Sequence, residues 1–115
     1  MLRGEIRMVD LDPARGSETN KRRPAVIVSN DGANTTAVHL NRGVITVVPV
    51  TSNVSRVYPF QVLLPATECG LPSESKAQAE QVRSVAIERI GQRVGQLTAP
   101  LLAELDEALR LHLAL

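Results

Sequence analysis

The sequence has almost no large aromatic side chains: its 115 residues include one Tyr, one Phe and no Trp. Because 43% of the residues are hydrophobic, the core must be built from Val, Leu, Ile and Ala. Such a core buries less apolar surface per residue than one with many rings, which favours further burial in an oligomer. The length is typical of one domain, and we expect a single domain over residues 1–115.

Cysteine and long apolar runs are also scarce. Cys69 is the one cysteine, so no internal disulfide can form, and a reducing cytoplasm is the expected compartment. There is no pair of cysteines or cluster of histidines with the spacing of a zinc site, and we expect no metal and no cofactor. No apolar run approaches membrane-spanning length and the first residues lack a signal-peptide core, so we expect no membrane association.

Positive charge is concentrated in one stretch rather than spread over the chain. The net charge is +1, which does not indicate a polycation that coats nucleic acid indiscriminately. The stretch from residue 15 to residue 23, however, contains four basic residues and one acidic residue, Glu18. The basic residues are Arg15, Lys21, Arg22 and Arg23. Pro24 then fixes φ at the start of a β-branched run, so Arg23 is held where a loop becomes a strand. Such an arginine can present its donor fork to a phosphate or carboxylate, although a solvated basic loop is the plainer alternative.

The pattern of apolar residues predicts short strands and one long helix. Strands are expected at 5–11, 24–29, 43–50, 58–64 and 93–97, with 58–64 forming a hairpin with 43–50. Residues 76–86 favour two short strands, although their propensity as far as Gln81 also allows a helix. Short helical turns are expected after Asp31 and at 87–90, and residues 65–75 form an irregular connection. Thr98 caps a helix that runs to Leu113, with Pro100 in its first turn.

These elements predict an α+β fold, most economically a small, strongly bent antiparallel β-barrel with the C-terminal α-helix on its outside. If the second and third strands are antiparallel neighbours, the start of one meets the end of the other. Arg23 and Thr51 then lie side by side, and a guanidinium beside a hydroxyl is a good phosphate site. Glu18 on the preceding loop supplies a carboxylate that could accept a proton.

This set of side chains is compatible with cleavage of RNA through its own 2′-hydroxyl, which needs neither a metal nor a protein nucleophile. A guanidinium is a poor proton donor, so the expected role of Arg23 is to stabilise charge in the transition state. Thr51 would position the phosphate or donate a hydrogen bond to it. Ordinary turn capping is the alternative for Thr51, Ser52 and Asn53.

Other polar residues carry weaker signals. His39 and His112 are far apart, and His112 is expected to pack along the helix stripe. Cys69 has no flanking cation or base and is expected to be structural. A polar row could line a groove or be exposed on a strand; it consists of Gln78, Glu80, Gln81 and Arg83.

Several spaced motifs in order make the sequence resemble the MazF/PemK family of toxin endoribonucleases from bacterial toxin–antitoxin pairs. The motifs are Arg3-Gly4-Glu5-Ile6, Val9-Asp10-Leu11-Asp12-Pro13, Gly16-Ser17-Glu18, Arg23-Pro24-Ala25-Val26 and Val48-Pro49-Val50-Thr51-Ser52, with Tyr58-Pro59-Phe60 and Glu80-Gln81-Val82-Arg83-Ser84 in addition. The resemblance runs from Arg3 almost to the end of the chain.

The resemblance implies an SH3-like barrel that forms a homodimer and cleaves single-stranded RNA (mRNA) at specific sequences without a metal. The products would be a 2′,3′-cyclic phosphate and a 5′-hydroxyl, and an antitoxin with an acidic, disordered segment would neutralise the enzyme. The family's catalytic Arg and Thr fall on Arg23 and Thr51, and Glu18 matches the base proposed in some members. Gln78 and Glu80 stand where other members use an Arg and an Asp, so that assignment does not carry over intact.

Eight further residues are expected to contact RNA: Ser17, Asn20, Lys21, Arg22, Ser52, Asn53, Gln81 and Arg83. Two alternatives remain open. One is the gyrase-poisoning branch of the same fold, which acts through a C-terminal tail containing Trp, whereas this chain has no Trp. The other is a catalytically silent barrel that binds RNA or protein.

Overall fold

The computed structural model describes residues 1–12, 16–18 and 21–115. The strands are β1 (Glu5–Asp10), β2 (Arg22–Ile27), β3 (Val44–Thr51), β4 (Gln61–Leu64), β5 (Ser75–Gln78), β6 (Arg83–Ala86) and β7 (Ile90–Gln96). The α-helices are α1 (Asp31–Leu40), α2 (Ala66–Cys69) and α3 (Ala99–Leu113), and 3₁₀ turns occupy Ala79–Gln81 and Ile87–Arg89. In the described part of the chain, no helix is long and apolar enough to cross a membrane.

The seven strands form one antiparallel sheet in the order β4-β5-β3-β2-β1-β7, and β6 pairs with the first half of β3. The last two residues of β3 pair with β5 instead, and the 3₁₀ turn at Ala79–Gln81 separates the two partners. The sheet is strongly bent but does not close. The predicted α+β fold, with strongly bent antiparallel strands and a C-terminal helix, is therefore confirmed, although the predicted barrel is an open sheet.

Two cores lie on opposite faces of the central strands. Alternate residues of β2 and β3 enter different cores, because successive side chains of a strand point to opposite faces. The α3-side core contains Val26, Val48 and Val50, whereas the α1-side core contains Ala25 and Ile27 together with Ile45 and Val47. Burial on both faces explains why this part of the sequence is nearly all β-branched.

The helix α3 covers the first of these cores. Its N-cap is Thr98, whose hydroxyl accepts a hydrogen bond from the Leu101 N–H, as the sequence predicts. Leu101, Leu105 and Ala108 form its buried stripe. His112 lies outside that stripe and is exposed, so the expectation that it packs was wrong.

Helix α1 is longer than the single helical turn expected after Asp31. It has ten residues, and its cap is Asn30, whose Oδ1 accepts a hydrogen bond from the Ala33 N–H at 2.8 Å. The buried Asn34 anchors it by accepting from the Ser29 hydroxyl and donating to the Ser29 carbonyl. These local side-chain hydrogen bonds, with the burial of Ala37 in the α1-side core, override the turn-forming composition of the segment.

The hairpin between β3 and β4 was also predicted wrongly. Strand β4 begins at Gln61 and pairs with β5, which lies between it and β3. The short helix α2 occupies part of the connection that was expected to be irregular. The two short strands expected within 76–86 are confirmed as β5 and β6, the latter reached through the 3₁₀ turn.

Candidate active site

A row of polar side chains crosses the sheet where β2 begins and β3 ends. Strands β2 and β3 pair with Ala25 opposite Pro49 and Val26 opposite Val48, so the same register places Arg23 opposite Thr51. Thr51 in turn pairs directly with Lys76 of β5. Side chains opposite one another in neighbouring strands share a face, so Arg23, Thr51 and Lys76 form one row. This extended register agrees with the predicted neighbourhood of Arg23 and Thr51, which stays a prediction.

Arg23 is half-buried and borders a pocket of about 220 Å³. Hydroxyl groups from two segments share the lining with it: Ser52 after β3, and Ser73 and Ser75 before and within β5. The Ser75 hydroxyl donates to the Ser73 carbonyl at 3.0 Å, whereas a guanidinium with the hydroxyls of Ser52 and Ser73 beside it can donate several hydrogen bonds to one phosphate. Ser73 and Ser75 were not predicted as site residues, although the hydroxyl-rich stretch after Pro72 was a signal for them.

Thr51 makes the turn-capping contact that was considered as its alternative role. Its Oγ1 accepts a hydrogen bond from the Asn53 N–H at 3.2 Å. A hydroxyl has one donor and two acceptor sites, so this bond still leaves the O–H of Thr51 able to donate. Capping fixes the hydroxyl at the end of β3 and is compatible with a role in holding a phosphate.

Glu18 lies in a second pocket, of about 270 Å³, which borders the loop between β1 and β2. The described lining of this pocket also includes Glu80, Gln81 and Arg83. Gln81 Nε2 donates to the Ser17 carbonyl at 3.2 Å, and Arg83 Nη1 donates to the Leu11 carbonyl at 3.3 Å. The 3₁₀ turn and β6 therefore hold the described part of this loop close to the sheet.

Both pockets include residues in or next to the loop between β1 and β2. Arg23 follows its exit, Glu18 lies within it, and Arg83 contacts Leu11 at its entrance. The structure thus groups Arg23 with Thr51 and Ser52, and Glu18 with Ser17, Gln81 and Arg83.

Three other residues that were expected to bind RNA do not line either of these two pockets. Arg22 neighbours Arg23 in β2 and therefore points to the opposite face, where its guanidinium lies over Gly91. Lys21 is exposed, and its N–H donates to Asp12 Oδ1 at 2.7 Å. Asn53 is exposed, but its Oδ1 accepts from the N–H and hydroxyl of Ser55. Asn20 lies outside the described residues.

Lys76 gave no signal in the sequence, and Glu80 appeared there only as part of the polar row. Lys76 is only 8% exposed, and its Nζ donates to the Arg56 carbonyl. Glu80 accepts from Gln61 Nε2 at 2.8 Å through Oε2, while its Oε1 is buried without a hydrogen-bond partner among the described residues. The burial of Lys76 and of Glu80 Oε1 depends on the pairing of β4 with β5, so it could not be predicted from local sequence.

Cys69 is buried at the end of α2. Burial, followed by the negative charges of Glu68 and Glu74, raises the pKa of its thiol. The thiol therefore stays protonated at neutral pH, as expected of a structural cysteine. Across the described residues, no group of three or more His, Cys, Asp or Glu side chains is arranged to hold a metal ion.

Comparison with known proteins identifies close relatives of this chain. A family model described as PemK-like, MazF-like toxin of type II toxin–antitoxin system matches residues 2–113. Endoribonuclease MazF9 of Mycobacterium tuberculosis (strain ATCC 25618 / H37Rv) is 67% identical over 115 residues, which cover 100% of this chain and 98% of that protein.

Solved structures show the same fold. The crystal structure of MazF from Deinococcus radiodurans superposes with a TM-score of 0.79 at 26% identity, covering 100% of this chain and 97% of that chain. A mycobacterial endoribonuclease in complex with its cognate antitoxin superposes with a TM-score of 0.77 at 22% identity, covering 100% and 96%.

Proposed function

This chain belongs to the PemK-like, MazF-like toxin family of type II toxin–antitoxin systems, and we propose that it cleaves single-stranded RNA at specific sequences without a metal ion. It is an endoribonuclease, as is its relative at 67% identity. The observation that carries the proposal is the row in which Arg23 lies opposite Thr51 beside a pocket lined with hydroxyls.

The substrate supplies the nucleophile. The 2′-oxygen of the nucleotide before the scissile bond attacks the adjacent phosphorus, and the bond from phosphorus to the 5′-oxygen breaks. The proton of the 2′-hydroxyl passes to the Glu18 carboxylate, and the leaving 5′-oxygen takes a proton from solvent. The products are a 2′,3′-cyclic phosphate and a 5′-hydroxyl.

Arg23 and Thr51 of the row, and two residues beside Glu18, have separate roles in this reaction. The Arg23 guanidinium stabilises the extra negative charge that develops on the phosphoryl oxygens. The Thr51 hydroxyl donates a hydrogen bond that positions the phosphate. Gln81 and Arg83 hold the described part of the loop that carries Glu18, so they position the carboxylate as well as contacting RNA.

The reaction is tested by cutting a long single-stranded RNA in the presence of EDTA. We expect cleavage at full rate, and end-group analysis should find 2′,3′-cyclic phosphates and 5′-hydroxyls. DNA of the same sequence is the control and should survive because it lacks the 2′-hydroxyl. Loss of cleavage in EDTA that magnesium restores would contradict the proposal. This experiment also separates the enzyme from a gyrase poison and from a silent RNA-binding barrel.

We propose that the protein forms a homodimer. The aliphatic core is small, and the end of α3 exposes Leu111 and Leu113 beside a pocket of about 370 Å³ that Val28, Val82 and Leu109 line. A second copy is the commonest partner for such a surface. Light scattering should give twice the monomer mass at micromolar concentration, and a monomer throughout that range would overturn the proposal.

We propose further that an acidic, disordered antitoxin segment competes with RNA for this site. A structural relative is solved with its cognate antitoxin, and the loop and β6 carry Lys21 and Arg83 on either side of the site. RNA and antitoxin both bind through charge pairs, and salt screens the attraction between charges. Both should therefore bind more weakly as the salt concentration rises.

Charge reversal separates competition from remote inhibition. Lys21→Glu or Arg83→Glu should weaken RNA and antitoxin together, measured by titration at fixed salt. Arg42→Glu, at an exposed position after α1, is the matched control. It should change the affinity for RNA and for antitoxin much less than Lys21→Glu or Arg83→Glu does. If saturating antitoxin leaves RNA binding intact, the two sites do not overlap.

A further inference from the structure

Both aromatic rings of the chain lie together on the loop between β3 and β4. The ring centroids of Tyr58 and Phe60 are 5.3 Å apart and the ring planes differ by 3°, so the rings are stacked in parallel. Tyr58 is 40% exposed. Phe60 is half-buried, so neither ring enters the aliphatic core, although burying a ring contributes strongly to stability.

A cation completes this group. The Arg56 guanidinium carbon lies 5.7 Å from the centroid of the Tyr58 ring, and Arg56 Nη1 donates to the Tyr58 hydroxyl at 3.1 Å. This distance allows a cation–π attraction, and the hydrogen bond orients the guanidinium against the ring. The exposed Arg56 and Tyr58 and the half-buried Phe60 therefore form one group, which we call the aromatic platform.

The platform is held by hydrogen bonds on both sides. Lys76 Nζ donates to the Arg56 carbonyl. The Tyr58 N–H donates to Gln61 Oε1 at 3.1 Å, and the Gln61 N–H donates back to the Tyr58 carbonyl at 2.9 Å. A surface ordered in advance in this way binds a ligand without first losing conformational entropy.

The residues that hold the platform also contact residues of the candidate site. Lys76 pairs with Thr51 in the row that includes Arg23. Gln61 Nε2 donates to Glu80, which lines the pocket of Glu18. The loop that carries the platform also begins directly after Thr51.

We propose that the aromatic platform binds an unpaired base of the RNA substrate, next to the phosphate held by Arg23. Proteins that bind single-stranded nucleic acid combine aromatic rings for stacking with cations that follow the backbone. Stacking on Tyr58 and Phe60 contributes affinity for any base, because every base has a π-face. The inference rests on the proposed function, since RNA is the ligand.

The composition of the chain provides a direct test. Tyr58 is the one tyrosine and there is no Trp, so tyrosine emission from the intact protein reports on the platform alone. The probe is a pool of short single-stranded RNAs with 2′-O-methyl riboses, which cannot be cleaved. We expect the pool to quench the emission, whereas an abasic oligonucleotide with the same phosphates should leave it unchanged.

Variants then separate stacking from other roles of the tyrosine. Because the Tyr58 variants lack the tyrosine signal, their binding is measured with the same RNA pool carrying a fluorescent label. Tyr58→Leu keeps an apolar side chain without the ring and should weaken binding of this labelled pool about tenfold, as expected when one stacked base is lost. Tyr58→Phe should bind nearly as well as the wild type, because the ring is kept. Val57→Ala changes an exposed neighbour in the same loop and is the control.

The outcomes distinguish this inference from the proposed function. Equal quenching by the abasic oligonucleotide, or normal binding by folded Tyr58→Leu, would overturn the platform even if the enzyme cleaves RNA. If the wild type fails to cleave RNA but the base-containing pool still quenches and the abasic one does not, the platform stands and the proposed reaction fails.

Discussion

Arg23→Ala lowers the rate of RNA cleavage by on the order of 10²-fold or more, because it removes the group that stabilises the transition-state charge. The effect should be on kcat more than on KM, since the charge develops during the reaction. Single-turnover cleavage of a fixed RNA, compared between purified wild type and variant, measures it directly.

Arg23→Lys should also be poor, although it keeps the positive charge. A lysine ammonium is a point charge and cannot reproduce the planar fork that a guanidinium offers to two phosphoryl oxygens. Arg42→Ala removes an exposed arginine after α1 and is the matched control, which should cleave at a near-normal rate.

A near-normal rate for Arg23→Ala would show that the phosphate is bound elsewhere. Because Arg23 is half-buried, the variant must be compared with the wild type by circular dichroism and thermal unfolding. A folded variant with lost activity supports the assignment. Rapid cleavage by the folded variant contradicts it.

The pairing of Arg23 with Thr51 could be predicted because its signals are local. Pro24 marks the place where loop becomes strand, and Thr51 follows a β-branched run whose length is plain from the sequence. Two consecutive strands in an antiparallel sheet then bring the start of one to the end of the next. The register observed between β2 and β3 ends with Ala25 opposite Pro49, and extending it by two residues aligns Arg23 with Thr51.

The orientation of Arg22 could not be predicted in the same way. The expected strand began at Pro24, which left Arg22 in a flexible basic loop. In the structure β2 begins at Arg22, so the alternation of side chains already applies and directs Arg22 away from Arg23. A shift of two residues in a strand boundary therefore changes the face on which a charge lies.

The third member of the row was missed because its position depends on a non-local contact. Lys76 lies opposite Thr51 only because β5, rather than β4, pairs with the end of β3. The expected hairpin placed β4 there and left Lys76 without a partner. Strand order between segments of similar propensity is decided by tertiary packing, which local pattern does not encode.

The backbone of β7 contacts the end of α2, the helix that precedes the serines of the Arg23 pocket. Gly95 of β7 pairs with Ile6, and a Cβ added to Gly95 would lie 2.1 Å from the Cys69 carbonyl oxygen. That oxygen belongs to the backbone at the end of α2, so no side-chain rotation can relieve the clash. Gly95→Ala should therefore lower the free energy of unfolding by about 3 kcal/mol or more.

Thermal unfolding followed by circular dichroism measures this loss, which corresponds to a decrease in Tm of about 12 °C or more. Gln96→Ala, at an exposed neighbour in the same strand, is the control and should change Tm little. An unchanged Tm for Gly95→Ala would mean that α2 can move away from β7 at little cost. Since α2 leads directly to Ser73 and Ser75, such movement would shift the hydroxyls beside Arg23. Cleavage at a temperature where the variant remains folded should then fall, because the phosphate pocket loses its shape before the fold is lost.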